Sequence, residues 1–185
     1  MLFGCRSDRI IFQEVIYCNF MERPSWDEFF FMLAHVYSTR GTCDRLKSAT
    51  LLVKDNRIVG AGYNGSLPNN PQCDEDGHLM EDGHCIRTLH GEDNAILYST
   101  SDLKGSTAYV LGTPCVLCTT KLIAVGVKSI KHVGEYSNSR GKGIVEKLAQ
   151  DNNVEFVRID LNFDATFDKM KKILKGPGGA LEDKS

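Results

Sequence analysis

The sequence has no long hydrophobic run and little net charge, and each absence excludes a class of protein. No apolar stretch approaches the 18 or so residues that a membrane-spanning helix needs, so no membrane span is expected. The net charge is −2, and no basic stripe of the kind that binds long nucleic acid is evident. A small anion needs only one or two well-placed cations and remains compatible with this composition.

Targeting signals and a disulfide framework are also missing. Residues 1–20 lack the basic start, long apolar run and small-residue cleavage site of a signal peptide, and seven cysteines is an odd number. The cysteines therefore predict a protein of the reducing cytosol, where thiols bind metals. Residues 1–20 are predicted to be an N-terminal extension, dispensable or created by a misassigned start codon. The alternative is an added strand or helix that packs on an oligomer neighbour.

The composition is otherwise that of an ordinary globular domain. Hydrophobic residues make up 42% of the chain and charged residues 25%, and a length of 185 residues favours one domain with one core. We assign residues 21–175 to this domain. Residues 176–185 begin with Gly-Pro-Gly-Gly and are predicted to be a disordered tail. No internal repeat is present.

Hydrophobic periodicity predicts helices that alternate with strands. A capping box at Ser25 and Glu28 begins the first helix, which ends near Gly41. A β-hairpin follows, and then a loop over residues 66–86 that is long enough to suggest a function. The other predicted helices are 90–100, 115–125, 143–150 and 163–174, and the predicted strands are 51–54, 57–63, 107–111, 129–133 and 154–159. Since strand–helix–strand crossovers run parallel, we expect an α/β protein, a three-layer α/β/α sandwich whose mixed five-stranded sheet begins with an antiparallel pair.

One stretch carries a metal-binding pattern. His-Gly-Glu at residues 90–92 is followed, after 21 residues, by Pro-Cys-Val-Leu-Cys at residues 114–118, and each half lies at the predicted start of a helix. A neutral imidazole and two thiolates suit Zn²⁺, and three protein ligands leave the fourth tetrahedral position open, as in catalytic sites. Helix N-termini favour thiolates, and a spacing of three places Cys115 and Cys118 on the same side of one turn.

Glu92 gives this pattern its chemistry. It lies two residues after His90, where its carboxylate can reach a water on the metal without binding the metal itself. Zinc lowers the pKa of such a water towards about 7. One carboxylate can then carry a proton to a ring nitrogen and later to a leaving amine. The pattern predicts hydrolysis of an exocyclic amine on a nitrogen heterocycle; the alternative is a structural zinc with a fourth cysteine ligand and an idle Glu92.

His-x-Glu with Pro-Cys-x-x-Cys is the signature of zinc-dependent nucleobase deaminases, and flanking stretches narrow the family. Over residues 23–173 the chain resembles the deoxycytidylate (dCMP) deaminases of the cytidine deaminase superfamily. The discriminating stretches are Ser-Thr-Arg-Gly-Thr-Cys-Asp-Arg (38–45), Val-Lys-Asp-Asn-Arg-Ile-Val-Gly (53–60), Gly-Tyr-Asn-Gly (62–65) and Gly-His-Leu-Met-Glu-Asp-Gly-His-Cys-Ile-Arg-Thr (77–88). The resemblance implies deamination of dCMP to deoxyuridylate (dUMP), the precursor for thymidylate synthesis.

The resemblance also implies roles for individual residues. The implied zinc ligands and proton shuttle are His90, Cys115, Cys118 and Glu92. Arg45 would contact the substrate 5′-phosphate, Asn64 would contact the sugar, and Tyr136 would lie beside the active site. From the residues alone, Arg45 is equally well a surface cation or a partner of Asp44. Asn64 is likewise what any turn before a glycine would use, and Tyr136 is compatible with simple packing.

Assembly and regulation are implied by the resemblance alone. Family members are commonly hexamers, so a homo-oligomer, hexamer or dimer, is expected, with no long nucleic acid and no membrane as partner. Many members are activated by deoxycytidine triphosphate (dCTP) and inhibited by thymidine triphosphate (dTTP), and Mg²⁺ would accompany either effector. The turn of Gly62, Tyr63, Asn64 and Gly65 is expected to help form the effector site.

A second zinc site is expected in the segments that precede His90. Its candidate ligands are Cys43, Cys73, His78, His84 and Cys85. Some relatives bind a structural zinc with residues from these regions, and four of the five would complete a closed tetrahedral site. The alternative is a set of free thiols and solvent-facing histidines.

Three positions depart from the family pattern. Gly91 stands where Ala is usual, which predicts a looser placement of Glu92. Gly-Thr at 112–113 replaces His-Phe, which predicts a wider pocket near the second zinc-binding helix. Ser-Ala-Thr at 48–50 replaces Val-Gly-Ala, which affects packing near the first strand.

These departures keep two rival functions open. One is a zinc-dependent deaminase of another base or nucleoside, such as guanine, a riboflavin precursor, cytidine or adenosine in tRNA. The other is a non-catalytic nucleotide-binding relative, which Gly91 favours and the intact Glu92 disfavours.

Overall fold

Helices and strands alternate along the described part of the chain. The computed structural model describes residues 23–134 and 143–181. The helices are α1 (Trp26–Ser38), α2 (Cys73–Asp76), α3 (Gly91–Leu97), α4 (Val116–Ala124), α5 (Ile144–Asp151) and α6 (Phe163–Lys175). The strands are β1 (Ala49–Lys54), β2 (Arg57–Tyr63), β3 (Gly65–Ser66), β4 (Met80–Glu81), β5 (His84–Cys85), β6 (Thr88–Leu89), β7 (Thr107–Leu111), β8 (Ser129–Val133) and β9 (Glu155–Arg158).

Five of the strands form one mixed sheet in the order β2-β1-β7-β8-β9. β1 is antiparallel to both β2 and β7, whereas β8 is parallel to both β7 and β9. The parallel half arises because α4 and α5 each cross over between consecutive strands. The predicted mixed five-stranded sheet that begins with an antiparallel pair is confirmed.

Alternating side chains divide the core into two layers, one on each face of this sheet. Along β7, Tyr109 and Leu111 point to one face, while Ala108 and Val110 point to the other. The first face is covered by α1 through Phe30, Phe31 and Ala34. The second face is covered by α3 and α4 through Ala95 and Leu122. The predicted three-layer α/β/α sandwich is therefore confirmed.

The capping box predicted for α1 is present. Ser25 Oγ accepts the Glu28 N–H at 3.2 Å, and the Glu28 carboxylate accepts the Ser25 N–H at 2.6 Å. The helix is also tied to the sheet by Asp27, which accepts hydrogen bonds from the Tyr109 hydroxyl and from Lys131 Nζ, both at 2.8 Å. These contacts set α1 on the face of the sheet opposite to α3 and α4.

The β1–β2 hairpin positions α3. Its two-residue turn, Asp55 and Asn56, has φ values of +50° and +56°, which suit the right-handed twist of the two strands. At Gly62, α3 lies so close that a Cβ atom would overlap the Gly91 carbonyl oxygen and the Ala95 nitrogen. Glycine is therefore required at residue 62 for helix–strand packing.

The structure differs from the predicted elements mainly in residues 49–89. β1 begins at Ala49, two residues before the predicted start, because Thr50 already pairs with Gly62 and Val110. The predicted loop over residues 66–86 contains α2 and the short strand pairs β3–β6 and β4–β5. The bounds predicted for β2, β7 and β8 agree with the structure.

Residues 164–181 belong to a second compact unit of the chain, which also includes residues 23–24 of the described part. After α6, the Gly179 N–H donates to Gly176 O and the Leu181 N–H donates to Leu174 O, both at 2.8 Å. Turns thus occupy the predicted tail from residue 176 as far as Leu181. Residues 182–185 and the extension predicted for residues 1–20 lie outside the described residues, so the domain boundaries stay predictions. In the described ranges, no helix combines the length and apolarity that crossing a bilayer requires.

Candidate active site

Two helix N-termini bring the predicted zinc ligands together. His90 is the N-cap residue of α3, Cys115 is the N-cap residue of α4, and Cys118 lies in the first turn of α4. His90 Nδ1 lies 3.3 Å from Cys118 Sγ and 3.8 Å from Cys115 Sγ. An ion pair of 2.6 Å between Asp93 and Lys121 connects the two helices beside this trio.

The trio fits a tetrahedral zinc ion. With zinc bonds of about 2.3 Å to sulfur and about 2.0 Å to nitrogen, a tetrahedral S···N edge is about 3.5 Å. The two observed edges, 3.3 and 3.8 Å, bracket that value. Among the described residues, no fourth His, Cys, Asp or Glu offers a ligand atom within 4.8 Å of all three. This geometry favours an open catalytic site over the four-ligand structural alternative.

The charges within the trio are already arranged for metal binding. The hydrogen bond to Cys115 raises the pKa of His90 to about 9. Hydrogen bonds from Cys118 and His90 lower the pKa of Cys115 to about 3, against the effect of burial. The hydrogen bond between Cys118 and Cys115, together with burial, raises the pKa of the Cys118 thiol. These shifts favour a thiolate at Cys115 and a proton on each of His90 and Cys118, and a metal would have to displace those two protons.

Glu92 lies in the first turn of α3 and is buried, with 5% of its surface exposed. Burial raises the pKa of its carboxyl group, and His90 partly offsets this effect. A carboxyl group with a raised pKa can both accept and return a proton near neutral pH. The position and the shift agree with the predicted role as a proton shuttle.

One cavity is lined by His90 and Cys115 of the zinc trio and by two residues that the sequence proposed for substrate binding. Glu92 lines it as well, and the two proposed substrate-binding residues are Arg45 and Asn64. The remaining lining residues are Cys43, Leu46, Ser48, His84, Cys85, Thr88, Gly91, Leu111 and Thr113. Tyr136, which was predicted to lie beside the active site, is outside the described residues.

Asn64 is held by backbone groups of the segment that follows Arg45. Its side-chain oxygen accepts the Ser48 N–H at 3.0 Å, and its amide nitrogen donates to Leu46 O. The side chain is buried, with 7% of its surface exposed. These bonds fix residues 46–48 against the end of β2, and contact with a sugar stays a prediction.

Arg45 does not pair with Asp44, so that alternative reading of the sequence is wrong. Its guanidinium donates to Gly83 O through Nη1 and Nη2, both at 3.3 Å, and Nη1 also contacts Met80 Sδ at 3.3 Å. The side chain is thereby held against the β4–β5 hairpin, at the edge of the cavity. Its contact with a phosphate stays a prediction.

The turn predicted for effector binding has a structural role that the sequence did not reveal. Gly62 packs against α3, and the Tyr63 carbonyl accepts a hydrogen bond from Asn94 of that helix at 2.7 Å. Gly65 begins β3, and its Cα lies beside the Tyr63 ring, which a Cβ would approach to 3.1 Å. The participation of Gly62, Tyr63, Asn64 and Gly65 in effector binding stays a prediction.

Gly91 lies in tight packing, and Gly112 has a backbone conformation that favours glycine. A Cβ at Gly91 would lie 3.1 Å from Gly62 O and 3.2 Å from Ala49 Cα, so the helix start sits close to the hairpin. Gly112 has a φ of +90°, a conformation that other residues rarely adopt. Thr113 then lines the cavity. The loosening of Glu92 and the widening of the pocket stay predictions.

A second group of metal-ligand side chains lies outside the catalytic trio. The ligand atoms of Cys43, Cys73 and His78 all lie within 4.8 Å of one another. Cys85 contacts one member of this group, since its Sγ is 3.6 Å from Cys73 Sγ, but it is not within 4.8 Å of all three ligand atoms. Burial and the hydrogen bond to Cys85 raise the pKa of Cys73 to about 12. Burial disfavours the Cys85 thiolate, but the Arg87 N–H and the His78 ring prevail and lower its pKa to about 7.

His78 is oriented for metal binding within this second cluster. Its Nε2 is 2.8 Å from the Asp44 carboxylate, whereas its Nδ1 is buried and has no hydrogen bond in the described part of the chain. A carboxylate on one ring nitrogen with the other nitrogen free is the usual arrangement of a metal-binding histidine. His84, the fifth residue predicted for this site, is absent from the cluster, and it lines the active-site cavity beside Cys85.

Several cavity residues were not predicted from the sequence. Ser48 donates its hydroxyl to Leu111 O at 2.7 Å, and Thr88 lies in β6 just before His90. The Asp44–His78 pair was also missed, because adjacent Asp44 and Arg45 look like partners in sequence. Of these features, only Thr88 had a signal in the sequence, which was its position close to the zinc motif.

Comparisons with known proteins agree with this site. The family model of the cytidine and deoxycytidylate deaminase zinc-binding region matches residues 24–133. ComE operon protein 2 of Bacillus subtilis is 38% identical over 119 residues, which cover 63% of this chain and 63% of that protein. The chain therefore spans less than two thirds of the length of that relative.

Two phage proteins are similar over nearly their whole length. Deoxycytidylate deaminase of Mycobacterium phage D29 is 32% identical over 128 residues, which cover 62% of this chain and 99% of the phage protein. The crystal structure of dCMP deaminase from cyanophage S-TIM5, in complex with dCMP and dUMP, superposes with a TM-score of 0.62 and 26% identity. That match covers 75% of this chain and 99% of the cyanophage chain.

Proposed function

The chain belongs to the cytidine and deoxycytidylate deaminase zinc-binding family, and from this premise we propose that it hydrolyses dCMP to dUMP and ammonia. The observation that carries the proposal is the buried Glu92 beside an open His90–Cys115–Cys118 trio, in one cavity with Arg45. The relatives named for deoxycytidylate deamination support the choice of substrate.

The trio and Glu92 divide the chemistry between them. Zinc held by His90, Cys115 and Cys118 would supply a water that is activated for nucleophilic attack. Glu92 would take one proton from that water and give it to N3 of the cytosine ring as the oxygen adds to C4. Glu92 would then take the remaining proton from the oxygen on C4 and give it to the amine, so that the C4–N bond breaks with its electron pair, ammonia leaves and the C4 carbonyl of dUMP forms. Because Glu92 is buried next to the trio, this proton stays inside the site.

We further propose a structural zinc in the second cluster. Its ligands would be Cys43, Cys73, His78 and Cys85, with Asp44 orienting His78. Three thiols and one imidazole make a closed tetrahedral set, which suits a structural rather than a catalytic ion. Both clusters need reduced thiols, which is consistent with a cytosolic protein.

Regulation and assembly complete the proposal and rest on the family resemblance. dCTP with Mg²⁺ would activate the enzyme and dTTP would inhibit it, through the turn of residues 62–65. The working form would be a homo-oligomer, a hexamer or a dimer. Activity assays with each triphosphate and a measurement of mass in solution test both statements.

The central experiment measures ammonia release by the zinc-loaded chain. The substrates are dCMP, deoxycytidine, cytidylate and guanine, each with and without dCTP and Mg²⁺. We expect turnover of dCMP and its loss in Glu92→Gln, which keeps the shape of the side chain but removes the proton carrier. Turnover of guanine or cytidylate in preference to dCMP would identify that compound as the substrate in place of dCMP. No turnover of any substrate with both zinc ions bound would favour a non-catalytic nucleotide-binding protein.

A further inference from the structure

One thiol of the second cluster is accessible from the active-site cavity. Cys85 is half-buried and lines the cavity that Glu92 also lines. Cys43 lines the same cavity, but only 4% of its surface is exposed, and Cys73 is similarly buried with 5% exposed. Cys85 is therefore the thiol of this cluster that a small molecule in the cavity reaches most readily.

Cys85 has a second thiol within reach of a covalent bond. Cys73 and Cys85 are both free thiols, and their Sγ atoms are 3.6 Å apart. A disulfide bond is about 2.0 Å long, so the two sulfur atoms would have to approach each other by about 1.6 Å. Whether they do so depends on the segments that carry them.

The segments that carry these two cysteines are short and lie outside the hydrophobic core. Cys73 belongs to the four-residue helix α2, and Cys85 belongs to the two-residue strand β5. None of residues 73–89, all of which the structure describes, belongs to either core layer. Segments with few buried apolar contacts open locally at a low cost in free energy. We therefore expect the two sulfur atoms to approach each other without unfolding of the domain.

The catalytic trio differs in this respect, although Cys115 also lines the cavity. Cys118 lies on α4, which Leu122 holds in the core, and His90 caps α3, which Ala95 holds there. A metal bound to the trio therefore keeps its ligands in place when the surface of the protein fluctuates. We expect an oxidant to modify the second cluster before it modifies the trio.

We propose that Cys85 is a site of reversible oxidation by hydroperoxides, and that the oxidised Cys85 forms a disulfide with Cys73. In the first step, the Cys85 sulfur attacks one oxygen of hydrogen peroxide, the O–O bond breaks, and the sulfur is oxidised to a sulfenic acid. The released hydroxide takes the thiol proton and leaves as water. In the second step, the Cys73 sulfur attacks the Cys85 sulfur and the S–O bond breaks. The hydroxide released in this step takes the Cys73 proton, so two thiols and one peroxide give one disulfide and two waters.

The disulfide would change both the second cluster and the cavity. Of the four proposed ligands, only Cys43 and His78 would remain, so a zinc ion at this cluster would be released. Cys85 would move towards Cys73 and reshape the cavity that it lines. Turnover would then fall until the thiols are reduced again, a regulatory consequence that rests on the proposed function. Transient disulfides of this kind are the form that redox sensing takes in a reducing compartment.

The test maps the oxidised thiols in the zinc-loaded full chain. The chain is treated with hydrogen peroxide, the remaining thiols are alkylated, and peptides are identified by mass spectrometry. We expect a Cys73–Cys85 link, release of one zinc ion per chain, and recovery of both thiols with a dithiol reductant. Ammonia release from dCMP should fall by about 10- to 100-fold on oxidation, the effect of a displacement of about 1 Å in an active site, and should recover on reduction.

Variants of the two cysteines separate the two steps. Cys73→Ser lacks the second thiol, so the sulfenic acid at Cys85 should persist and react with a 1,3-diketone probe. Cys85→Ser should leave Cys73 as a free thiol after the same treatment. His84→Gln is the matched control, because His84 is the neighbour of Cys85 and lines the same cavity but lies outside the cluster. It should form the disulfide at the rate of the unmodified chain.

The outcomes separate this inference from the proposed function. A link between Cys115 and Cys118 that forms before the Cys73–Cys85 link overturns the inference, and so does a second cluster that stays reduced. Full turnover by a chain whose Cys73–Cys85 disulfide is complete overturns the regulatory consequence. Mapping needs neither a variant nor turnover, so a reversible Cys73–Cys85 link supports the oxidation site even if dCMP is not a substrate.

Discussion

The catalytic trio and the second cluster are two metal-ligand sets of similar chemistry built in different ways. In the trio, His90, Cys115 and Cys118 come from the first turns or caps of two packed helices. In the second cluster, the ligands come from α2, β5 and irregular segments spread over residues 43–85. The trio leaves a coordination position open to a cavity, whereas four ligands would close the second set.

The two clusters therefore differ in their surroundings. The hydrophobic core holds the helices of the trio in place, whereas the proposed second metal would help to hold its own segments in place. α3 and α4 are held by the core residues Ala95 and Leu122, which pack whether or not metal is bound. The segments of the second cluster contain few regular hydrogen bonds and two-residue strands. We therefore expect loss of the first metal to abolish activity and loss of the second to lower stability.

The largest effect is expected from Cys118→Ser in the catalytic trio. Serine keeps the shape of the buried side chain but removes a thiolate ligand, and metal catalysis is worth several kcal/mol, or about 10³-fold in rate. dCMP turnover should fall by at least about that factor, while the melting temperature changes by only a few degrees. Ammonia release and thermal unfolding measure the two effects. A collapse of stability equal to that of a second-cluster variant would contradict the comparison.

Cys73→Ser tests the second cluster in the same way. Loss of a structural metal is among the few changes that cost about 4 kcal/mol or more of the free energy of unfolding. Denaturant unfolding should show this loss, and zinc content should fall from two ions to one per chain. His84→Gln is the control, because His84 lies outside the cluster, and it should retain both ions. Two ions bound in Cys73→Ser would refute the proposed ligand set.

The trio should bind zinc with a steep dependence on pH. The pKa of His90 is raised to about 9 and that of Cys118 is also raised, whereas the pKa of Cys115 is lowered to about 3. Near pH 7 the first two groups are protonated and the third is not, so zinc must displace two protons. Affinity should then rise about 100-fold per pH unit from pH 6 to pH 8. Chelator competition on Cys73→Ser isolates this site, and a slope below about tenfold per unit would be inconsistent with two protons.

The smallest effect is expected from Asp44→Asn, which weakens the carboxylate that orients His78. Removing such a partner usually lowers metal affinity by about 10- to 100-fold. The loss should be confined to the second cluster, with catalytic zinc and turnover per bound zinc unchanged. Asp74→Asn, a change at an exposed acidic residue of α2, is the control. Equal effects of the two variants would mean that the Asp44–His78 contact has no role in metal binding.

The sequence predicted what depends on local spacing. The trio follows from two short motifs at helix starts, and the bounds of β7 and β8 follow from isolated apolar runs. The capping box of α1 is equally local, since Ser25 and Glu28 are three residues apart. In each case the residues that interact are also neighbours in the chain or flank one turn.

Features that depend on distant pairing were not predictable. His78 and His84 lie in the same predicted loop and have the same chemistry, and only the folded chain places His78 with Cys43 and Cys73 and leaves His84 outside that group. The short strands β3 to β6 exist because of partners brought close by the fold, such as Gly65 and Leu89. The partners of Asp44 and Arg45 were missed for the same reason.

The span of the second cluster has a consequence for the order in which the chain folds. Cys43 precedes the β1–β2 hairpin and the other three ligands follow it, so the ligands meet only after the chain has reversed through that hairpin. Closing so long a segment before the hairpin forms would cost loop entropy that no contact yet repays. We therefore expect metal capture at this cluster to be a late folding step. A chain that is starved of zinc should accumulate with its sheet formed and its β4–β5 hairpin still unattached.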